Sequence, residues 1–229
     1  MRYRRNIYFI YIIFFISWEI CIFVFVNNNN MVNNFELIKN YLEFQNERSF
    51  YFIQILKRKK ENPEMNAYSI PIESFYVFSI EQYEKLEKRI IELCNMHNAR
   101  AYIKMNCLDA QSVMLEQISL ITQEIRKGNW KHMSKTLNSA CGVCGKQDGN
   151  DKLYLVDLDG IDIGSDDYND VVSTINNLQP TYVLRKVRMS VPTKNGCHLL
   201  TTGFDMNEFR KTFKSIDIHS DGITLLYVP

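Results

Sequence analysis

The segment KLYLVDLD, residues 152–159, sets an apolar run, Leu153 to Val156, directly before two acids, Asp157 and Asp159. A short apolar run bounded by polar residues predicts a buried β-strand. Side chains on a strand alternate with a period of two, so both carboxylates fall on one face, about 7 Å apart along the chain. Acids at the end of a buried strand need a cation to offset their desolvation. Mg²⁺ or Mn²⁺, which favour carboxylate oxygen, would serve. The plain alternative is a pair of solvated acids at a strand end, the usual state of Asp.

Outward from this strand the pattern continues. DDYNDVVSTINNL (166–178) predicts a helix closed by Pro180, and TYVLRKVRMSV (181–191) and CHLLTTGF (197–204) predict strands joined by the turn PTKNG. MNEFRKTF (206–213) predicts a short helix and ITLLYV (223–228) a final strand. The order β-α-β-β-α-β is the split βαβ pattern of RRM-like and ferredoxin-like folds, an α+β class. Upstream, residues 32–47 have helical spacing, SFYFIQILKRKK (49–60) reads as a strand ending in a basic run, and FYVFSI (75–80) as another strand. Ser79 and Gln82 are spaced as a capping box for a helix with Tyr83, Leu86, Ile90, Ile91 and Cys94 on one face. ARAYIKM (99–105) predicts a strand, 108–127 a helix and 130–137 a shorter one. The expected organisation is a smaller αβ unit over 31–149, then an RRM-like unit over 150–229.

Two further elements add chemistry. In PTKNGCHLL, Asn195-Gly196 is a strong hairpin signal. Such a turn exposes backbone N–H groups beside Thr193 and Lys194, which suits a phosphate, and His198 follows on the outgoing strand. A lone histidine is otherwise a hydrogen-bonded core residue. In SIDIHSDG, Asp217 stands between Ile216 and Ile218 just before the last strand. First and third strands are neighbours in a split βαβ sheet, so the acids and His198 are expected on one face.

LYLVDLD, TKNGCHLL and IDIHSDGITLLYVP, in this order, resemble the three motifs of archaeo-eukaryotic primases and primase-polymerases: an apolar strand ending DxD, a small-x-His strand after a glycine turn, and a later apolar-Asp strand. The likeness covers residues 150–229. Residues 31–149 match only loosely the family's more variable N-terminal unit. The resemblance implies a nucleotidyltransferase that primes or extends a DNA or RNA strand from nucleoside triphosphates, with a replication helicase or other replisome protein as partner. It implies Asp157, Asp159 and Asp217 as catalytic ligands of divalent metal, with His198, Lys194 and Thr193 toward the nucleotide. Lysine in the turn is not a fixed family feature, and the chain stops soon after the third motif. A member that binds metal without polymerising is the inactive version of the same reading.

Other readings stand beside this one. VDLDGID is similar to the nucleophile motif of haloacid-dehalogenase-like phosphatases, with Ile161 where that motif has Thr. Asp157 would then be the nucleophile and Asp159 the acid/base. Cys141 and Cys144 form half of a zinc site that Cys94 and His97 would complete. A non-catalytic RNA-binding module would need aromatics on the sheet face, and the first strand offers only Tyr154 before its acids. Arg185, Lys186, Arg188, Lys194, Arg210, Lys211 and Lys214 are candidates for strand phosphates, or for a solvated face.

The chain has 229 residues, 46% apolar and 23% charged, with a formal net charge of +1. This is globular composition, and its bulk electrostatics do not announce a nucleic-acid binder. The six cysteines are not spaced as a small disulfide scaffold. Residues 7–26, IYFIYIIFFISWEICIFVFV, are long and apolar enough to span a bilayer and follow Arg2, Arg4 and Arg5. Either the protein is a single-pass membrane protein through 7–26, or translation begins at Met31 and the protein is cytoplasmic. Residues 1–30 are set outside the fold in both readings.

Overall fold

The computed structural model describes residues 31–144 and 152–229. The apolar run 7–26 lies outside them, and among the described residues no helix is long and apolar enough to cross a membrane. The elements run β1 (Val32–Asn33), α1 (Phe35–Lys39), β2 (Ser49–Arg58), β3 (Ser69–Val77), α2 (Ile80–His97), β4 (Arg100–Lys104), β5 (Leu108–Asp109) and α3 (Ala110–Arg126). A 3-10 helix over Trp130–Lys135 leads into α4 (Thr136–Cys144). Then come β6 (Tyr154–Asp159), α5 (Asp166–Asn177), β7 (Val187–Pro192), β8 (Gly196–Thr201), α6 (Met206–Thr212), β9 (Asp217–His219) and β10 (Ile223–Val228). The class is α+β with antiparallel sheets.

There are two sheets among these residues. One has the order β1-β10-β4-β2-β3, with β5 on β2, and the other the order β7-β8-β6-β9. Alternation along β2 decides what covers the first sheet. Tyr51, Ile53 and Ile55 pack with Tyr83, Ile90 and Cys94 of α2, while Phe50 and Phe52 pack with Val113 of α3 and Cys141 of α4. The Ser79 side chain accepts from Gln82 N, and Gln82 Oε1 accepts from Phe78 N at 2.8 Å, so the expected capping box forms, its return bond one residue before the cap.

In the second sheet Val156, Leu158, Cys197 and Leu199 lie under α5 and α6 with Val171, Ile175 and Phe209. The intervening residues Leu155, Met189, Val191 and Leu200 join the core that contains Ile53, Ile103 and Leu226. The two sheets therefore share apolar packing.

Three expectations are corrected. ITLLYV does not close the second sheet: β10 lies between β1 and β4 of the first, and Asp217–His219 is the strand beside β6. An almost wholly apolar strand favours a sheet interior over an edge, and long-range packing selects which sheet. Thr224 through Val228 are buried on both faces, which an interior strand provides and an edge strand does not. The helix expected over 32–47 shrinks to Phe35–Lys39, because Val32 and Asn33 pair with Val228 and Tyr227. The strand expected from 181 begins only at Val187. The buried Lys186 ammonium turns back to cap α5, donating to Asn176 O at 2.7 Å and Val183 O at 3.0 Å. This removes Lys186 from the cations available to a ligand.

Polar contacts lock the sheets together. Lys104 of β4 meets Asp221 of the β9–β10 turn, with side chains only 3% and 4% exposed. Asn106 donates to Asp221 Oδ1 and Leu153 O and accepts from Leu153 N. Asn34 donates to Pro192 O and Leu225 O. Replacing Lys104 alone strands a buried carboxylate. We expect Lys104→Met to cost about 3–5 kcal/mol in urea unfolding, and Lys104→Met with Asp221→Leu to recover most of that loss.

Candidate functional site

β6 is flanked in register by β8 and β9, so Asp157 lies directly opposite His198 on one side and Asp217 on the other. Cβ atoms of such cross-strand partners are about 4.5–5.5 Å apart. The pleat puts Leu155, Asp157 and Asp159 on the face turned away from α5 and α6, because Val156 and Leu158 occupy the other. His198, Asp217 and His219 alternate with residues of that helix-facing core, Cys197, Leu199 and Ile218, and so share the face of Asp157. Three acids and two histidines from β6, β8 and β9 thus stand on one face.

Asp159 lies opposite Gly196. Gly196 has φ +153°, and a Cβ there would come within 2.0 Å of Leu158 O. Gly160 N also donates to Asn195 O at 2.6 Å, and Thr193 N to Gly196 O at 2.9 Å. The small residue two before His198 is therefore a packing requirement: the β7–β8 hairpin rides directly on the backbone of the acid-bearing strand. Thr193 and Lys194 lie in this hairpin beside Asp157 and Asp159.

Burial dominates the electrostatics. It pushes the Asp157 carboxyl above its usual range, reinforced by Asp159 and Asp217, while His219 and Arg58 act in the other direction. Burial also drives His198 down to about 4, Asp159 opposing and His219 reinforcing. His198 is therefore neutral at physiological pH. Its Nε2 faces Asp157 Oδ1 at 3.5 Å, too long for a hydrogen bond of ordinary strength. Nδ1 lies 3.0 Å from the hydroxyl of Thr224, which is fully buried in β10 of the other sheet.

Among the described residues no three His, Cys, Asp or Glu side chains are gathered as a ready metal cage. The carboxylates share a face without closing on one point, as like charges do. The donor set still suits a hard divalent cation: oxygen ligands, one half-buried acid and mutual repulsion among the carboxylates. The expected zinc ligands are not brought together. Cys94 is in the core on one face of β2 and Cys141 in the core on the other. Burial pushes their thiols up to about 12 and about 11, away from the thiolate that binds zinc.

Asp157 borders two cavities. One, of about 560 Å³, is lined by Leu155, Ile218, His219 and the β9–β10 turn. The other, of about 110 Å³, lies between the acids and the first sheet, with Arg58, Lys60, Arg100 and Lys194 on its walls. The basic run 57–60 was visible in the sequence. Its place across from Asp157, and that of Thr224 beside His198, was not.

Comparison with protein-family models, curated proteins and solved structures finds no match for this chain.

Two outcomes follow from this geometry. Gly196→Ala should destabilise the fold by more than about 2 kcal/mol in chemical denaturation, because the struck atom is backbone and the φ is strained. The lowered His198 also predicts a pH dependence. The unfolded chain takes up a proton near 6.5 and the folded protein only near 4, so stability is complete above 6.5 and declines as pH falls toward 4. The raised Asp157 acts oppositely, since acid relieves its repulsion. With a chelator present, His198→Gln should flatten the loss between pH 6.5 and 4, by up to about 3 kcal/mol. An unchanged melting profile would mean that His198 is not held neutral by burial.

Proposed function

We propose that this protein is a metal-dependent nucleotidyltransferase of primase-polymerase type, which joins a nucleoside triphosphate to the hydroxyl end of a nucleic-acid strand. One observation carries the reading: Asp157, the first acid of the DxD strand, has the motif histidine opposite it on one neighbouring strand and the third-motif acid opposite it on the other. The order β6-α5-β7-β8-α6-β9 and the strand order β7-β8-β6-β9 support an RRM-like catalytic unit.

In this reading Asp157, Asp159 and Asp217 hold Mg²⁺ or Mn²⁺, which when bound supplies charge neutralisation at the phosphates and eases loss of the hydroxyl proton. The chain's own residues do the rest. His198, uncharged and mostly buried, presents a ring nitrogen to a phosphate oxygen, and Thr224 fixes the ring from behind. Lys194 and the hairpin that bears it border the same cavity. In the transfer the acceptor hydroxyl oxygen bonds to the α-phosphorus, the bond to the β-phosphate oxygen breaks and pyrophosphate leaves. Positioning and preorganised charge supply most of the rate in such a step.

The antiparallel neighbours of β6 weigh against the phosphatase reading, because doubly wound α/β folds place their strands in parallel sheets.

Mn²⁺ together with a nucleoside triphosphate should raise the melting temperature, and Asp157→Asn with Asp159→Asn should abolish that shift while the protein stays folded. On a primed template, His198→Ala and Asp217→Ala should each lower nucleotide incorporation by about a hundredfold or more. Incorporation that survives both substitutions sinks the assignment. Phosphomonoester hydrolysis that needs Asp157 but not His198 would favour a phosphatase. Salt-sensitive strand binding with no turnover would favour a binding module.

A further inference from the structure

We propose that the polyphosphate tail of the substrate is held by the other sheet, through Arg58 and Lys60 at the end of β2, acting with Lys194 across the gap from Asp157 and Asp159. This rests on the nucleotidyltransferase reading for the identity of the ligand, a nucleoside triphosphate, and adds Arg58 and Lys60, which lie in none of the three motifs.

The cavity between the sheets is the first reason. At about 110 Å³ it is far smaller than the several hundred Å³ of a site that encloses a whole small molecule. It is large enough for a phosphate chain, and its walls are mostly charged. The 560 Å³ cavity on the other side of Asp157 leaves room for the bulkier reactant. Asp157 lies on the boundary, where a scissile α-phosphate would stand.

The second reason is the state of the cations. Arg100 is matched by Glu61, and both side chains are largely buried, so this pair shapes the wall. Arg58 is different. Its Nη1 donates to the Tyr102 hydroxyl at 2.9 Å and its Nη2 to the Tyr68 hydroxyl at 3.5 Å. The two hydroxyls orient the guanidinium, and although Glu61 acts on it electrostatically, that carboxylate is paired with Arg100 and makes no ion pair with Arg58. Tyr102 is 7% exposed and fixes the fork from within the sheet. A planar fork held in this way is the geometry that grips phosphate oxygens in pairs. Arg58 already acts on Asp157 across the gap. Lys60 adds an exposed ammonium at the end of the same strand, and Lys194 closes the opposite wall.

Complementarity is the third reason. The acids on the second sheet repel a triphosphate, so cations must approach it from elsewhere. β2 is the element that does so, and the buried contacts of Lys104, Asn106 and Asn34 hold the two sheets in place.

The test uses the full chain and inorganic tripolyphosphate in the presence of a chelator, so that no metal site takes part. Binding is followed by calorimetry. Lys60→Glu should weaken binding at least about tenfold, as expected for a charge-assisted contact turned repulsive. Arg58→Lys should weaken it several-fold, since charge remains but the fork is lost. Lys85→Glu, the same charge change on the exposed side of α2, should change it less than about twofold. Asp157→Asn should tighten binding, because it removes repulsion. No measurable tripolyphosphate binding, or binding equally sensitive to Lys60→Glu and Lys85→Glu, overturns the proposal. If the expected pattern appears but no nucleotide is incorporated with Mn²⁺ on a primed template, the polyphosphate subsite stands and the nucleotidyltransferase reading falls.

Discussion

The site depends on the register of β6 between β8 and β9. A slip of one residue would turn Asp157 under α5 and α6 and bring Val156 or Leu158 to the open face. The register is held from both sides. Val156 and Leu158 are buried in the helix-covered layer, and Gly196 lies so close to Leu158 O that no residue with a side chain fits there. The hairpin before His198 and the strand bearing the acids are therefore one mechanical unit. Gly196 acts through this contact, which sets where His198 stands relative to Asp157.

The second constraint is the joint between sheets. β10 carries Thr224, which anchors His198, and it belongs to the first sheet. The turn before β10 carries Asp221, whose buried partner Lys104 is also in the first sheet. The chain crosses from one sheet to the other between β9 and β10, so the acid Asp217 and the hydroxyl Thr224 are close in sequence yet serve different layers. The gap that results has acids on one wall and Arg58 and Lys60 on the other.

The electrostatic state of the site follows from that burial. An uncharged His198 and a half-buried Asp157, raised by burial and then by its acidic neighbours, are both costs to the folded protein at some pH. Groups so perturbed in a cleft are candidates for a functional site. Cys94 and Cys141, also strongly perturbed, are by contrast held in two separate cores. The difference lies in neighbours: the perturbed acids and histidine share one face and border a cavity, while each cysteine is packed among apolar side chains.

Sequence alone determined the local elements and their order along the chain. The apolar run ending in Asp157 and Asp159, the Ser79 cap, the helix over α5 and the Asn195-Gly196 hairpin were legible because each depends on neighbours within a few residues. That Asp157, Asp159 and His198 share one face was expected from strand periodicity, whereas Asp217 stands beside Asp157 through a strand, Asp217–His219, in the place expected for ITLLYV. Tertiary structure alone decided which sheet received ITLLYV, that Lys186 would cap a helix, that Cys94 and Cys141 would be parted by β2, and that Arg58 and Lys60 would face the acids. These outcomes depend on which apolar surfaces bury one another across more than a hundred residues, as Asn34 and Leu225 or Lys104 and Asp221 show. Local spacing does not encode that choice, because a strand that is apolar on both faces fits the interior of either sheet.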